Sequence, residues 1–195
     1  MSPAVVLVAG ASGSGKSRLA RRSGCLAFRL DDFYREIDYP GHVLTDYGII
    51  DWDHPAAWDA PSAVAALRTL IDTGEVEVPD YSIGESRIVG SRTVRLGNAD
   101  CILAEGVFAI ELLAHLRAAG IPARGIYLDR PGWLVFGLRL RRDLAKHRKP
   151  PLVLLRRGLA LWRAQPGLKR KACAAGFTAL PMRRALAAVG PTTNS

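Results

Sequence analysis

The chain has 195 residues, 49% of them hydrophobic and 23% charged, which fits one folded domain with or without a lid and excludes a disordered chain. No run of about 18 apolar residues exists, so no membrane span is expected, and the start MSPAVVLVAG lacks the basic residues and long apolar core of a secretion signal. The net charge of +9 is unevenly divided: residues 1–98 hold 10 basic and 13 acidic side chains, a balance of −3, and residues 99–195 hold 17 and 5, a balance of +12.

A basic segment wants anionic company, either nucleic acid, a membrane surface or the phosphates of a small ligand, and charge alone does not choose. The three cysteines, Cys25, Cys101 and Cys173, are widely spaced with no CxxC pair. They read as small buried apolar residues in a reducing cytoplasm rather than a disulfide framework or zinc site.

Ala4–Ala9 is a continuous apolar run bounded by glycine, the pattern of a strand buried on both faces. After the glycine loop at residues 10–15, KSRLARRS reads as a helix stopped at Gly24. Leu26–Leu30 predicts a second strand, closed by Asp31 and Asp32. Residues 34–58, rich in Gly, Pro, Asp and aromatics, read as a functional loop. Helical spacing covers Pro61–Asp72, with Asp59 or Ser62 as cap and Gly74 as stop, and residues 76–95 suggest a small hairpin.

Ala99–Ala104 is again a buried strand, ending at Glu105 and Gly106, followed by a helix over about Phe108–Ala119 and a short strand at Ile126–Leu128. From Trp133 come two arginine-rich helical stretches split by Pro150 and Pro151, and a third near Met182–Val189. This alternation predicts an α/β fold in three layers, with a five-stranded parallel sheet and helical crossovers. All of it is expected in a single domain over 1–195: a core to about 130, an arginine-rich helical lid over about 131–150 and a C-terminal helical segment over 151–190.

Gly10, Ala11, Ser12, Gly13, Ser14, Gly15, Lys16 and Ser17 fit G-x-x-x-x-G-K-[ST] in full, between a predicted strand and a predicted helix. Glycines let successive backbone N–H groups turn inward around phosphate oxygens, and the following helix offers its N-terminus to the same anion. Lys16 would reach the β- and γ-phosphates and Ser17 would place its hydroxyl on Mg²⁺, with Arg18 next in the chain. The pattern therefore predicts a nucleoside triphosphate ligand with Mg²⁺, held in a P-loop NTPase fold.

Carboxylates decide what such a loop does. Asp31 falls at the carboxyl end of the second strand, where it would accept a proton from an acceptor hydroxyl or help hold Mg²⁺. Asp32 is its neighbour, and adjacent side chains at a strand end point opposite ways; an acidic helix cap is the alternative for either. Glu105 follows the strand CILA at the same edge and is expected on the metal side. In Asp51-Trp52-Asp53-His54-Pro55, Asp53 would accept from two vicinal hydroxyls. His54, just before proline, reads as a turn residue whose ring caps a backbone group, and an Asx turn is the alternative for the whole segment.

These residues resemble the uridine kinase and phosphoribulokinase family of phosphate-loop kinases. GASGSGKS is similar to that family's loop, and Asp31-Asp32-Phe33-Tyr34 resembles its Asp-x-Phe-Tyr element, whose first Asp acts as base. Asp53-His54-Pro55 with Trp58-Asp59 resembles the segment whose leading Asp holds the ribose, and Glu105-Gly106 its metal-side pair. Arg139, Arg142 and Arg148 resemble its lid arginines, and Tyr81 and Arg87 its acceptor-binding pair on the hairpin. The resemblance implies an ATP-dependent kinase with Asp31, Tyr34, Asp53, Tyr81 and Arg87 toward the substrate, and Ser17, Glu105 and Asp31 toward the metal. The sequence departs from the family near Tyr81, where Ile83 replaces an aromatic and the following His is absent.

Beyond Pro151, Arg156, Arg157, Arg163, Lys169, Arg170 and Lys171 exceed what one triphosphate uses. A solvated helical face is one reading and nucleic-acid contact the other, the latter weakened by sparse aromatic interleaving. The expected activity is phosphoryl transfer to a small-molecule hydroxyl, in first place the 5′-hydroxyl of uridine or cytidine. A kinase for a sugar phosphate, pantothenate or another vitamin is the near alternative, and a nucleotide-binding regulatory protein or RNA-associated ATPase the distant one. The chain is expected in the cytoplasm, with no membrane partner, and a homo-oligomer is left open.

Overall fold

The computed structural model describes residues 2–11, 13–131, 137 and 166–189. Strand β1 (Ala4–Ala9) leads through the glycine loop into α1 (Lys16–Ser23). Next come β2 (Leu26–Arg29), a 3-10 turn over Leu30–Phe33, α2 (Ala60–Thr73) and the hairpin β3 (Glu75–Ser82) with β4 (Arg87–Arg95). The chain continues through β5 (Cys101–Glu105), α3 (Ala109–Ala118), β6 (Ala123–Leu128), α4 (residues 166–174), β7 (Phe177–Leu180) and α5 (Met182–Val189). The main sheet has the order β2-β5-β1-β6-β7, and every pairing in it is parallel.

The unbroken apolar run of β1 follows from burial on both faces. Val5, Leu7 and Ala9 pack with Leu67 and Leu70 of α2 and Leu112 and Leu113 of α3. Val6 and Val8 face the other way, onto Leu19 and Ala20 of α1 and Ala185 and Val189 of α5. Each fully buried Val or Leu contributes roughly 1.5–3 kcal/mol of transfer free energy, so a polar residue anywhere in β1 would be costly. The result is a sheet between two helical layers, as expected.

Helix ends follow their sequence signals. Gly24 and Gly74 close α1 and α2 in the left-handed region, and the Asp59 carboxylate accepts from the Ser62 N–H at 3.2 Å, so Asp59 is the cap of α2. β5 ends on Glu105 itself, one residue later than expected, and β6 starts at Ala123, three residues earlier. The sheet has the expected five strands, but its outer member, β7, lies within the stretch expected to be helical. Gly176, at φ 99°, turns the chain out of α4, and Phe177 packs so closely on Gly125 of β6 that a Cβ there would meet its ring at 2.5 Å.

The hairpin forms its own two-stranded antiparallel sheet, with the register shifting between Asp80 and Tyr81. Cys101 is buried and Cys25 half-buried, but Cys173 is exposed, so the reading of all three as buried residues is corrected there. Arg139, Arg142 and Arg148 of the expected lid lie outside the described residues, as do Ser12, Arg156, Arg157 and Arg163. No helix among the described residues is long and apolar enough to cross a membrane.

Candidate active site

The glycine loop turns at the carboxyl end of β1. Gly13 and Gly15 adopt φ of 86° and 96°, conformations that side chains with a Cβ rarely take. At Gly10 a Cβ would sit 2.9 Å from Ser14 Oγ and 3.3 Å from the Leu128 carbonyl oxygen. The Ser14 N–H donates to Ala11 O at 3.0 Å, closing the loop, and the Ser14 hydroxyl is buried with no hydrogen-bond partner. Lys16 Nζ folds back over the loop, donating to Gly10 O at 2.9 Å and Ala11 O at 3.4 Å. Arg18 points out from α1 and is exposed.

Strand register brings the acidic residues to this edge. Glu105 pairs with Val8 of β1 on one side and Arg29 of β2 on the other, between the glycine loop and the turn carrying Asp31. Ser17 Oγ donates to Glu105 Oε1 at 2.7 Å. Asp31 lies on the 3-10 turn just beyond β2, with Oδ1 buried and unpartnered. Burial, then the nearby Glu105 charge, raises its pKa; Lys16, the Val107 N–H and Arg29 pull the other way without winning. A carboxylate so placed is a better proton acceptor than an exposed one.

Asp32, next on the same 3-10 turn, is fully buried. Arg92 of β4 donates to its Oδ2 at 2.5 Å, and the Arg29 guanidinium approaches Oδ1 at 3.2 Å. Asp32 therefore ties the hairpin to the turn that carries Asp31. Sequence spacing gives the two carboxylates opposite directions but does not reveal Arg92 as the partner.

An aromatic wall stands beside Asp31. Tyr34 is edge-on to Phe108 at 5.5 Å and to Trp52 at 6.0 Å, and its ring centre lies 5.7 Å from that of Tyr81. Burial, then the charges of Asp31 and Asp53, pushes its phenol well above the usual range. Trp58 stacks on Phe108 at 5.2 Å and donates its indole N–H to Leu30 O at 2.9 Å, bracing the Asp31 turn.

The remaining expected residues have defined places. Asp53 is exposed, its N–H donating to Asp51 Oδ1 at 3.1 Å. The His54 ring accepts from the Ala56 N–H at 3.1 Å and caps a short 3-10 turn. Tyr81 donates its hydroxyl to Arg35 O at 3.2 Å, and the Arg87 guanidinium pairs with Asp38 at 3.0 Å. Sequence reading missed Trp52, Phe108 and His42, whose ring lies 5.0 Å from Trp52; loop aromatics beside a predicted catalytic turn were the available signal. It also missed Arg130 at the end of β6, whose Nη2 lies 3.8 Å from the position a Gly15 Cβ would take.

Among the described residues no group of three or more His, Cys, Asp or Glu gathers as a metal cage. The Ser17 hydroxyl with Glu105, and Asp31 nearby, is instead a partial set of hard oxygen donors, the donor type that Mg²⁺ takes.

Comparison with known proteins gives a consistent answer. The chain is 30% identical over 156 residues to the uridine kinase of Shewanella piezotolerans (strain WP3 / JCM 13877), covering 73% of this chain and 69% of that protein. It is 29% identical over 149 residues to the uridine kinase of Lactobacillus johnsonii (strain CNCM I-12250 / La1 / NCC 533), covering 72% and 68%. A crystal structure ascribed to a fructose transport system kinase from Silicibacter sp. TM1040 superposes with a TM-score of 0.56 at 17% identity, over 92% of this chain and 90% of that one, a likeness of fold. No family model matches the chain.

Proposed function

Since the chain belongs to the uridine kinase family and is a small-molecule kinase, we propose that it transfers the γ-phosphoryl group of ATP to the 5′-hydroxyl of a pyrimidine nucleoside, uridine or cytidine. The observation that carries this reading is the buried, unpartnered Oδ1 of Asp31 beside Lys16 and the Ser17–Glu105 pair at one sheet edge.

In this reading the loop N–H groups and Lys16 cradle the triphosphate, and Ser17 and Glu105, with Asp31 nearby, hold Mg²⁺, which neutralises phosphate charge when bound. Asp31 Oδ1 accepts the proton of the acceptor hydroxyl as that oxygen attacks phosphorus. Asp53 takes the sugar diol, and the Tyr34–Trp52–Tyr81 wall packs the base. Arg87 adds a cation on the acceptor side, and Arg139, Arg142 and Arg148 keep the charge-stabilising role that their motif implies.

The test is ³¹P NMR of the protein with Mg²⁺–ATP and a panel of nucleosides. A nucleoside 5′-monophosphate signal is expected for uridine or cytidine. Asp31→Asn is expected to lower turnover roughly 10²–10⁴-fold with nucleotide affinity kept; lost nucleotide affinity would sink the role of Asp31. A kinase for another small hydroxyl compound is the second reading. It is favoured by the exposed Ile83 and the absence of a histidine near Tyr81, and ATP consumed only with a non-nucleoside acceptor would select it.

A further inference from the structure

Two thiols meet at the sheet edge opposite the candidate active site. Cys25 directly precedes β2 and Cys101 opens β5, and these strands pair in parallel with Leu26 opposite Ile102. The register thus sets Cys25 beside Cys101, and both side chains pack into the apolar cluster between the sheet and the layer of α1 and α5. Neighbouring strands lie about 4.8 Å apart, within the Cα separation of roughly 4.4–6.8 Å that a disulfide spans.

The surroundings divide the labour between the two. Cys25 is half-buried, so small solutes reach it, whereas Cys101 is 9% exposed. The Cys25 N–H donates to Ser23 Oγ at 3.2 Å, and its thiol donates to Val189 O at 3.4 Å at the end of α5. The neighbouring Cys101 thiol, helped by Ser23 and the Arg124 guanidinium, holds the Cys25 thiol down at about 7 despite burial. Cys101 is pushed up by the same contact and stays a thiol. One sulfur is therefore the nucleophile and the other the resolving partner.

We propose that Cys25 and Cys101 form a peroxide-reactive dithiol that closes into an intramolecular disulfide between the starts of β2 and β5. The Cys25 thiolate attacks one oxygen of hydrogen peroxide; the S–O bond forms, the O–O bond breaks, and hydroxide leaves to take up a proton as water. Cys101 sulfur then displaces hydroxide from the Cys25 sulfenic acid, and its own proton completes the second water. Two thiols lose two electrons and two protons, and peroxide becomes two waters.

The test treats the full chain with hydrogen peroxide, counts free thiols after denaturation and maps peptides by mass spectrometry, with Cys173, exposed, as internal control. The expected result is a Cys25–Cys101 peptide pair lighter by two hydrogens, reversed by dithiothreitol, in wild type and in Cys173→Ser. In Cys101→Ser, Cys25 is expected to stop at a dimedone-trappable sulfenic acid; in Cys25→Ser, Cys101 is expected to stay reduced at the same dose. Wild-type protein in which Cys173 oxidises while Cys25 and Cys101 stay reduced, or in which only intermolecular disulfides form, would overturn the proposal, and neither readout requires a variant to fold.

Discussion

Gly106 has room for a hydrogen atom and nothing more. A Cβ there would come within 2.6 Å of Leu30 Cβ and 3.0 Å of Asp31 Oδ1. Gly106→Ala is therefore expected to push the Asp31 turn outward, costing about 1–3 kcal/mol by urea unfolding and lowering turnover more than nucleotide affinity. Asp31 also makes a prediction about stability. Its folded pKa is raised, chiefly by burial and next by Glu105; its contribution is present below the unfolded pKa and lost as pH rises through the folded one. Asp31→Asn should thus melt higher than wild type at neutral pH, with the gap closing in acid. Titration of Asp31 in the unliganded protein by ¹³C NMR should shift to lower pH in Glu105→Gln, because one cause of the rise is gone; no shift would mean that burial acts alone. At this scale the sequence was informative where a motif fixes spacing, as for Lys16, Ser17, Asp31 and Glu105. It was silent where a partner arrives through the fold, as Arg92 does at Asp32.

Elements were legible in proportion to their local signals. β1 and β5 are unbroken apolar runs, and α2 carries both an Asp cap and a glycine stop, so these segments declared themselves. β7 did not: four residues, FTAL, have no periodicity to read, and the strand exists because Phe177 packs against a glycine on β6. Gly125→Val is accordingly expected to displace Phe177 and detach β7, seen as fast amide exchange over residues 177–180. The hairpin gives a second expectation. Removing the Arg92 cation leaves a fully buried Asp32 with only Arg29 at 3.2 Å, so Arg92→Met should cost up to about 3 kcal/mol. The double variant with Asp32→Asn should cost less than Arg92→Met alone, which a double-mutant cycle on unfolding free energies would measure.

Across the whole molecule, the glycine loop, the Asp31 turn and Glu105 lie at the carboxyl ends of β1, β2 and β5, adjacent strands of a parallel sheet. Ligands bind at that edge in open α/β sheets because loops there are free to vary while the strands hold them in place. Ligand linkage follows: Mg²⁺–ATP at 100 times its Kd should stabilise the fold by about 2.7 kcal/mol, and Lys16→Ala should remove most of that gain in a thermal-shift titration.

Among the described residues the hairpin shares no hydrogen-bonded ladder with the main sheet; Asp32, the Tyr81 hydroxyl and the buried Val78 and Val94 fasten it. A change on the hairpin's outer face has no strand register through which to reach the glycine loop, and the Arg92–Asp32 pair is the tie by which the inner face reaches the Asp31 turn.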